Sequence, residues 1–389
     1  MDLAYLDNAA TSHPKPESVY RALDGFMRDI GASPGRSCHR LAIAAGQCVL
    51  DARERIAALF NVRDAARVVF TASCTEAINT ALKGLLHPGD RVVTTSMEHN
   101  AVMRPLHTLA RDRGIVLDVV PCSPRGVLDP ADIRRHLASR TRALVLSHAS
   151  NVTGSIQPVA EAAAIARSCG AVVIVDAAQS AGMLPVDVTG WGIGLLAFSG
   201  HKGLLGPQGI GGLVVGEGIE LDTLIEGGTG SMSTNESQPT MLPDKFESGT
   251  ANGPGIAGLG AGVAHVTSQG IDAVRATLAT LTATILEELA ATPGVTVHGP
   301  ADPTRQTAVI SFALAGWDVA EASRILDQHH GILTRAGVHC APRAHATIGS
   351  LRTGGTVRVS PGLFTTVDSI RHLGHCLREM AAHPPTHDA

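Results

Sequence analysis

At 389 residues, 44% apolar and 17% charged, the chain is long enough for one large or two unequal globular domains of about 100–200 residues each. Aromatics make up only 3%, so Ala, Val, Leu and Ile must build most of the core, and 42 Gly and 21 Pro in no repeating pattern exclude a collagen-like or low-complexity chain. A formal net charge of −4 argues against a broad nucleic-acid or anionic-membrane footprint. No apolar run nears the roughly 18 residues of a transmembrane helix, and Met1-Asp2-Leu3-Ala4 lacks the basic, then apolar, start of a signal peptide. Seven scattered cysteines without a CxxC pair argue against a disulfide framework or structural zinc site and fit a reducing, cytoplasmic location.

From about residue 50, helix-like stretches alternate with short β-branched runs. Helices are predicted over 50–60, 75–86, 101–113, 130–137 and 158–169, and strands over 91–96, 116–121, 143–147, 171–176 and 195–199. The alternation predicts an α/β domain with a largely parallel sheet, whose uniformly apolar strands read as covered by helices on both faces. After an apolar run over 212–215, the polar, glycine-rich stretch 226–238 reads as a linker or as a cover over a site or partner subunit. A long helical segment over 258–291 follows. It leads into a unit over about 295–381 that mixes strands (308–313, 356–360) with helices (319–328, 367–382), the pattern of a smaller α+β domain. The expected division is an N-terminal segment over 1–20 packing with the small domain, a large domain over 21–260, a connecting helix over 261–290, the small domain over 291–382 and a frayed tail over 383–389.

In open α/β sheets ligands gather at the carboxyl ends of the strands. Four runs here end in polar residues: Glu98, His99 and Asn100; His148 and Asn151; Asp176 and Gln179; Ser199, His201 and Lys202. Four such ends on one edge would assemble a site. Lys202, between an apolar strand and a glycine-rich return, stands where a low dielectric lowers an amine's pKa and allows a Schiff base; on position alone it reads more simply as a lysine solvated on a turn. A nucleotide P-loop is excluded, since no GxxxxGK[ST] occurs and Gly206 to Gly212 does not form GxGxxG. Asp176 suits the fixed carboxylate that keeps the ring nitrogen of pyridoxal phosphate protonated, and equally suits an N-cap for the segment after it. His99 can stack on a planar ring, Gln179 and Asn151 can hydrogen-bond its phenolic oxygen, and Ser73-Cys74-Thr75-Glu76 offers either a phosphate-binding helix terminus or a simple cap.

Together these segments resemble the cysteine desulfurases and selenocysteine lyases, within the class V aminotransferase group of fold-type I pyridoxal phosphate enzymes. The resemblance runs nearly end to end. It is carried by Tyr5-Leu-Asp-Asn-Ala-Ala-Thr-Ser12, Thr75-Glu-Ala-Ile-Asn79, Glu98-His-Asn100, Val175-Asp-Ala-Ala-Gln-Ser-Ala-Gly182, Ser199-Gly-His-Lys202, Phe246-Glu-Ser-Gly-Thr250 and Arg335-Ala-Gly-Val-His-Cys340. It implies pyridoxal 5'-phosphate as cofactor, a large, mostly parallel-sheet domain and a smaller α+β C-terminal domain. By the same resemblance Lys202 is the Schiff-base lysine, Asp176 the partner of the pyridinium nitrogen, His99 the ring-stacking histidine, and Gln179 and Asn151 lie near the phenolic oxygen and substrate. Thr75, Ser199 and His201 match phosphate ligands. Thr250 matches a threonine that reaches the phosphate of the neighbouring subunit, which implies a homodimer. Arg358 matches the arginine that clamps the substrate carboxylate, a task suited to a bidentate guanidinium, and Arg36 falls where a second-subunit active-site residue is expected.

Cys340 selects among the reactions open to such a site. A cysteine read alone is more often a small buried apolar residue, but Arg335, His339, Arg343 and His345 are close in sequence, and positive neighbours favour the thiolate. The resemblance implies that Cys340 attacks the sulfur of the cysteine–cofactor adduct after Lys202 has taken the α-proton, leaving an enzyme persulfide and alanine from L-cysteine. The segment 335–350 is then expected to be a mobile loop, and a sulfur-acceptor protein is an expected partner. Cys74 departs from relatives that carry another threonine or a small residue there. The rival readings are a lyase acting on L-selenocysteine, an aminotransferase, epimerase or C–S β-lyase for which Cys340 is incidental, and a catalytically silent sulfur-trafficking subunit. A metal hydrolase is opposed by 18 dispersed histidines with no HExxH, so no metal is expected.

Overall fold

A computed structural model describes residues 3–35, 37–137 and 140–385. The apolar runs pair into a seven-stranded sheet in the order Val68–Thr71, Gly211–Val215, Leu195–Ser199, Val172–Asp176, Thr141–Ser147, Arg91–Thr95, Val116–Val120. Gly211–Val215 runs antiparallel to both its neighbours, and the remaining pairs are parallel. Because successive strand side chains point to opposite faces, Val173, Val175 and Phe198 pack with Ile56 and Val263 on one side. Ile174, Leu195 and Ala197 pack with Ile78, Leu82 and Leu106 on the other. Two buried faces explain why these strands read as unbroken apolar runs.

The second sheet has four antiparallel strands in the order Arg335–Gly337, Thr356–Val359, Ile310–Leu314, Val295–His298. Ile285, Leu326 and Leu373, from the helices Ile271–Ala290, Val319–His330 and Val367–Ala382, cover it. At the N-terminus, Ala4–Tyr5 pairs in parallel with Ile332–Leu333, and Leu6 joins the core of this second unit.

Three elements differ from their sequence expectation. The helix expected over 258–291 is two helices, Gly253–Gln269 and Ile271–Ala290, broken where Gly270 takes φ 83°, a backbone region that glycine enters without steric cost. The helix expected from residue 50 starts earlier, as Arg40–Leu59, with His39 capping it by accepting a hydrogen bond from the Ala42 N–H. Its first half leaves Leu41 and Ile43 exposed, so no one-sided apolar stripe marks it. The stretch 335–350, expected as a loop, holds the strand Arg335–Gly337 and the helix Pro342–Thr347. Of the tail, residues 386–389 lie outside the described residues.

Candidate active site

The polar strand ends meet at one edge of the large sheet. Ser147 and Asp176 end neighbouring strands and stand in register. Asp176 is buried, and its Oδ1 accepts from the Ala178 N–H at 2.9 Å and from the Cys74 thiol at 3.4 Å. Cys74 opens the helix Cys74–Leu85, whose first turn is capped by Ser73 accepting from the Glu76 N–H at 3.2 Å. Burial, then the Asp176 charge, pushes the Cys74 thiol well above its ordinary value, so it remains a donor.

Lys202 follows the strand Leu195–Ser199 on a turn packed tightly against the segment after Asp176. A Cβ on Gly182, which has φ 80°, would lie 2.4 Å from the Gly203 carbonyl oxygen, so only glycine lets the two turns close. Burial pushes the Lys202 amine below its ordinary value, and the Asp176 carboxylate opposes that shift. The His201 carbonyl just before it accepts from Ser12 N at 3.0 Å, Ser12 Oγ at 3.1 Å, Thr11 Oγ1 at 3.2 Å and Lys15 Nζ at 3.1 Å. The peptide that carries the lysine is therefore fixed by the N-terminal segment. Gln179 is tied to the same segment, donating from Nε2 to the Ala9 carbonyl at 2.9 Å.

His99 caps the helix Asn100–Arg113, its Nδ1 accepting from the Ala101 N–H at 3.0 Å. Burial lowers its pKa, with Asp176 pulling the other way; the neutral ring then carries its proton on Nε2. Just before it, Glu98 is fully buried and accepts from Thr95 Oγ1 at 2.6 Å and Ser147 Oγ at 2.8 Å. Burial pushes the Glu98 carboxyl up to about 7.

Cys340 is exposed and shares one cleft with Thr75, His99, Asn100 and Arg104. Its carbonyl accepts from the Asn100 N–H at 2.8 Å, and the His339 carbonyl accepts from Asn151 Nδ2 at 2.7 Å. His339 and Cys340 have φ of 47° and 57°, a left-handed conformation that non-glycine residues hold only when their surroundings fix it. Buried His339 supplies part of that restraint through Thr356 Oγ1 at 3.1 Å, which donates to Ser311 Oγ at 3.0 Å, which donates to the Val152 carbonyl at 2.6 Å. Arg358, 1% exposed, donates from Nη1 to the Asn151 carbonyl at 3.0 Å and pairs through Nη2 with Asp7 Oδ1 at 2.7 Å.

Lys202, Asp176, His99, Gln179, Asn151, Ser199, His201 and Arg358 thus lie around the carboxyl ends of neighbouring strands, with Thr75 and Cys340 on an adjoining cleft. Thr250 is not among them within this chain. It is exposed in a separate cleft with Arg53, Phe70 and Glu247. Arg36 lies outside the described residues. Asp7 and Glu98 received no role from sequence, because Arg358 and Ser147, which bond them, lie far along the chain.

A lowered-pKa lysine beside a buried carboxylate and a neutral imidazole, near the N-terminus of the helix Cys74–Leu85, fits a phosphate-bearing aldehyde cofactor with a basic ring nitrogen. The buried Gln179 Oε1 and His201 Nδ1 have no hydrogen-bond partner among the described residues, and such a cofactor would supply partners to groups that are costly to leave unsatisfied. The class defined by fold and site is therefore a pyridoxal-phosphate α/β enzyme.

Residues 4–373 match Aminotransferase class-V, and the chain belongs to that family, whose cofactor is pyridoxal 5'-phosphate. A probable cysteine desulfurase of Methanothermobacter thermautotrophicus is 36% identical over 385 residues, covering 98% of this chain and 95% of that protein. A cysteine desulfurase of Enterobacter is 37% identical over 350 residues, covering 88% and 85% of the two chains. Among solved structures, the apo cysteine desulfurase of Thermococcus onnurineus superposes with a TM-score of 0.90 at 31% identity, covering 98% of this chain and 95% of the other. An Escherichia coli cysteine desulfurase in an S-sulfonic acid form gives a TM-score of 0.86 at 29% identity, covering 98% and 94%. The chain has the fold-type I architecture of these proteins. Among the described residues no helix is long and apolar enough to cross a membrane.

Proposed function

We propose that the chain is a pyridoxal-phosphate-dependent cysteine desulfurase that converts L-cysteine to L-alanine and takes the sulfur onto Cys340. The observation that carries this reading is an exposed cysteine, held in a left-handed backbone conformation, in one cleft with His99 and the helix terminus at Thr75. The named relatives, cysteine desulfurases over most of their length, support it.

In this reading Lys202 would hold the cofactor, Asp176 would keep its ring nitrogen protonated and His99 would stack on its ring. Gln179 and Asn151 would bond its phenolic oxygen, and Thr75, Ser199 and His201 would take its phosphate, joined by Thr250 from a second copy of the chain. When bound, the cofactor supplies the electron sink that makes the substrate α-proton removable. Arg358 and Asn151 hold the substrate carboxylate, with Arg36 of a second copy beside them. Lys202, freed as a neutral amine, takes the α-proton and returns a proton to carbon. The Cys340 thiolate attacks the substrate sulfur: the new S–S bond forms as the Cβ–S bond breaks, the electron pair of that bond stays with carbon and takes up the proton Cys340 lost on ionising, so that Cβ ends reduced as the methyl group of alanine and Cys340 ends oxidised as a persulfide. A reductant or acceptor protein then takes the terminal sulfur. The account needs a homodimer, a large cofactor-binding domain over 21–260 with a small domain over 291–382, a segment 335–350 that moves to deliver and present sulfur, and a reducing cytoplasm.

Incubation with L-cysteine and dithiothreitol tests the reading. Alanine and sulfide should appear in equal amounts with the parent and be absent with Cys340→Ala. Full sulfide release by Cys340→Ala would instead indicate a C–S lyase.

A further inference from the structure

Asp7 sits on a strap. After Ala4–Tyr5 joins Ile332–Leu333, the Asn8 N–H donates to the Ser360 carbonyl at 3.1 Å and the Ala9 N–H to Ser360 Oγ at 2.9 Å. The strap then meets Gln179 through the Ala9 carbonyl and the His201 carbonyl through Ser12. With the chain pinned on both sides of it, the Asp7 carboxylate is a fixed point, and what it fixes is Arg358.

Arg358 is the largest fully buried side chain among the described residues. Its guanidinium has five N–H donors. One on Nη2 goes to Asp7 Oδ1 at 2.7 Å and one on Nη1 to the Asn151 carbonyl at 3.0 Å, while Nε is buried without a partner among the described residues. Two anchors on different nitrogens set the plane of the fork and leave donors unspent. Arg335 stands directly opposite Arg358 on the neighbouring antiparallel strand, so two like charges face one another, and Asp7 is the carboxylate paired with one of them.

We propose that Asp7 is a positioning residue for substrate recognition: by holding the Arg358 guanidinium in one plane, it prepares the remaining donors for the carboxylate of an α-amino acid. The inference rests on Arg358 being the carboxylate clamp. Its physical content is preorganisation, since the ordering of a long, rotamer-rich side chain is completed before the ligand arrives. Asn at position 7 keeps a carbonyl acceptor for Nη2, and Ala does not.

The test uses holoenzyme carrying Cys340→Ala, titrated with L-cysteine and with cysteamine, which differ only in the carboxylate, and read by the absorbance change of the bound cofactor. Asp7→Ala should raise the dissociation constant for L-cysteine about tenfold while leaving that for cysteamine within about twofold, and Asp7→Asn should restore L-cysteine binding to within about threefold of the parent. Unchanged L-cysteine binding in Asp7→Ala, equal weakening of both ligands, or no rescue by Asp7→Asn would overturn the proposal. Arg358→Gln separates the two levels. If it weakens L-cysteine selectively while Asp7→Ala does not, only the role of Asp7 falls. If Arg358→Gln spares the preference for L-cysteine over cysteamine, the clamp itself is wrong and the proposal falls with it.

Discussion

Cys340 owes its position to backbone bonds rather than to its own side chain. The Asn100 N–H and Asn151 amide hold the peptides on either side of residue 340, and His339, Thr356 and Ser311 form a buried relay behind them. Thr356→Val keeps the shape and removes the hydroxyl that joins His339 to Ser311. It should slow desulfuration about tenfold, because a reacting atom displaced by a fraction of an ångström loses rate steeply, and leave KM for L-cysteine within about twofold, because Arg358 is untouched; steady-state kinetics check both. Lys202 and Asp176 stood out in sequence because one comes shortly after an apolar strand and the other ends one, but position alone left a solvated lysine and a helix cap open, and the resemblance chose between the readings. The tie between Asp7 and Arg358 was not legible there, since its partners are 351 positions apart. Cys74 stood out as a departure, but its bond to Asp176 appears only when a helix start is brought against a strand end.

Among the elements, the segment bearing Thr250 is anchored to the sheet side through a largely buried ion pair. Glu247 accepts from Arg53 Nη1 and Nη2, each at 2.8 Å, and from the Phe70 N–H at 2.7 Å, while the Arg53 guanidinium lies 4.7 Å from the Phe70 ring centroid. Glu247→Ala leaves the buried Arg53 without its counter-charge and should cost about 3 kcal/mol in urea unfolding. In the proposed dimer it should also weaken cofactor retention, measured by equilibrium dialysis, because the segment presenting Thr250 loses its anchor. Helix ends and strand ends were read to within a few residues where apolar periodicity was strong. The early start of Arg40–Leu59 was hidden by its exposed Leu41 and Ile43, and the break at Gly270 by Gly258, Gly260 and Gly262 inside the preceding helix, which left one more glycine without weight as a stop signal.

At the scale of the whole molecule, several histidines are buried where charge is disfavoured. Burial lowers His148 and His345 each to about 4, and His339 to about 2, from an ordinary 6.5. As pH falls from 6.5 toward 4 the unfolded chain takes up protons at these histidines that the folded chain refuses, so their contribution to stability falls with pH across that window, while Glu98, raised to about 7, contributes in the opposite direction. His148, packed edge-on against Trp191 at 5.5 Å between ring centroids, is the simplest to isolate: His148→Phe should flatten part of the slope between pH 6.5 and 4 in denaturant titrations. An unchanged slope would remove His148 as a contributor. The alternation of helices and strands made the α/β class and its parallel sheet readable, but not the strand order or the reversed direction of Gly211–Val215, which depend on contacts between distant segments.

A single turnover without reductant shows whether Cys340 accepts the sulfur. Holoenzyme mixed with one equivalent of L-cysteine, quenched, digested and weighed by mass spectrometry should show the Cys340 peptide heavier by one sulfur atom, with an equal amount of alanine released. Alanine formed while that peptide stays unmodified and the extra sulfur is found on another cysteine would contradict the account.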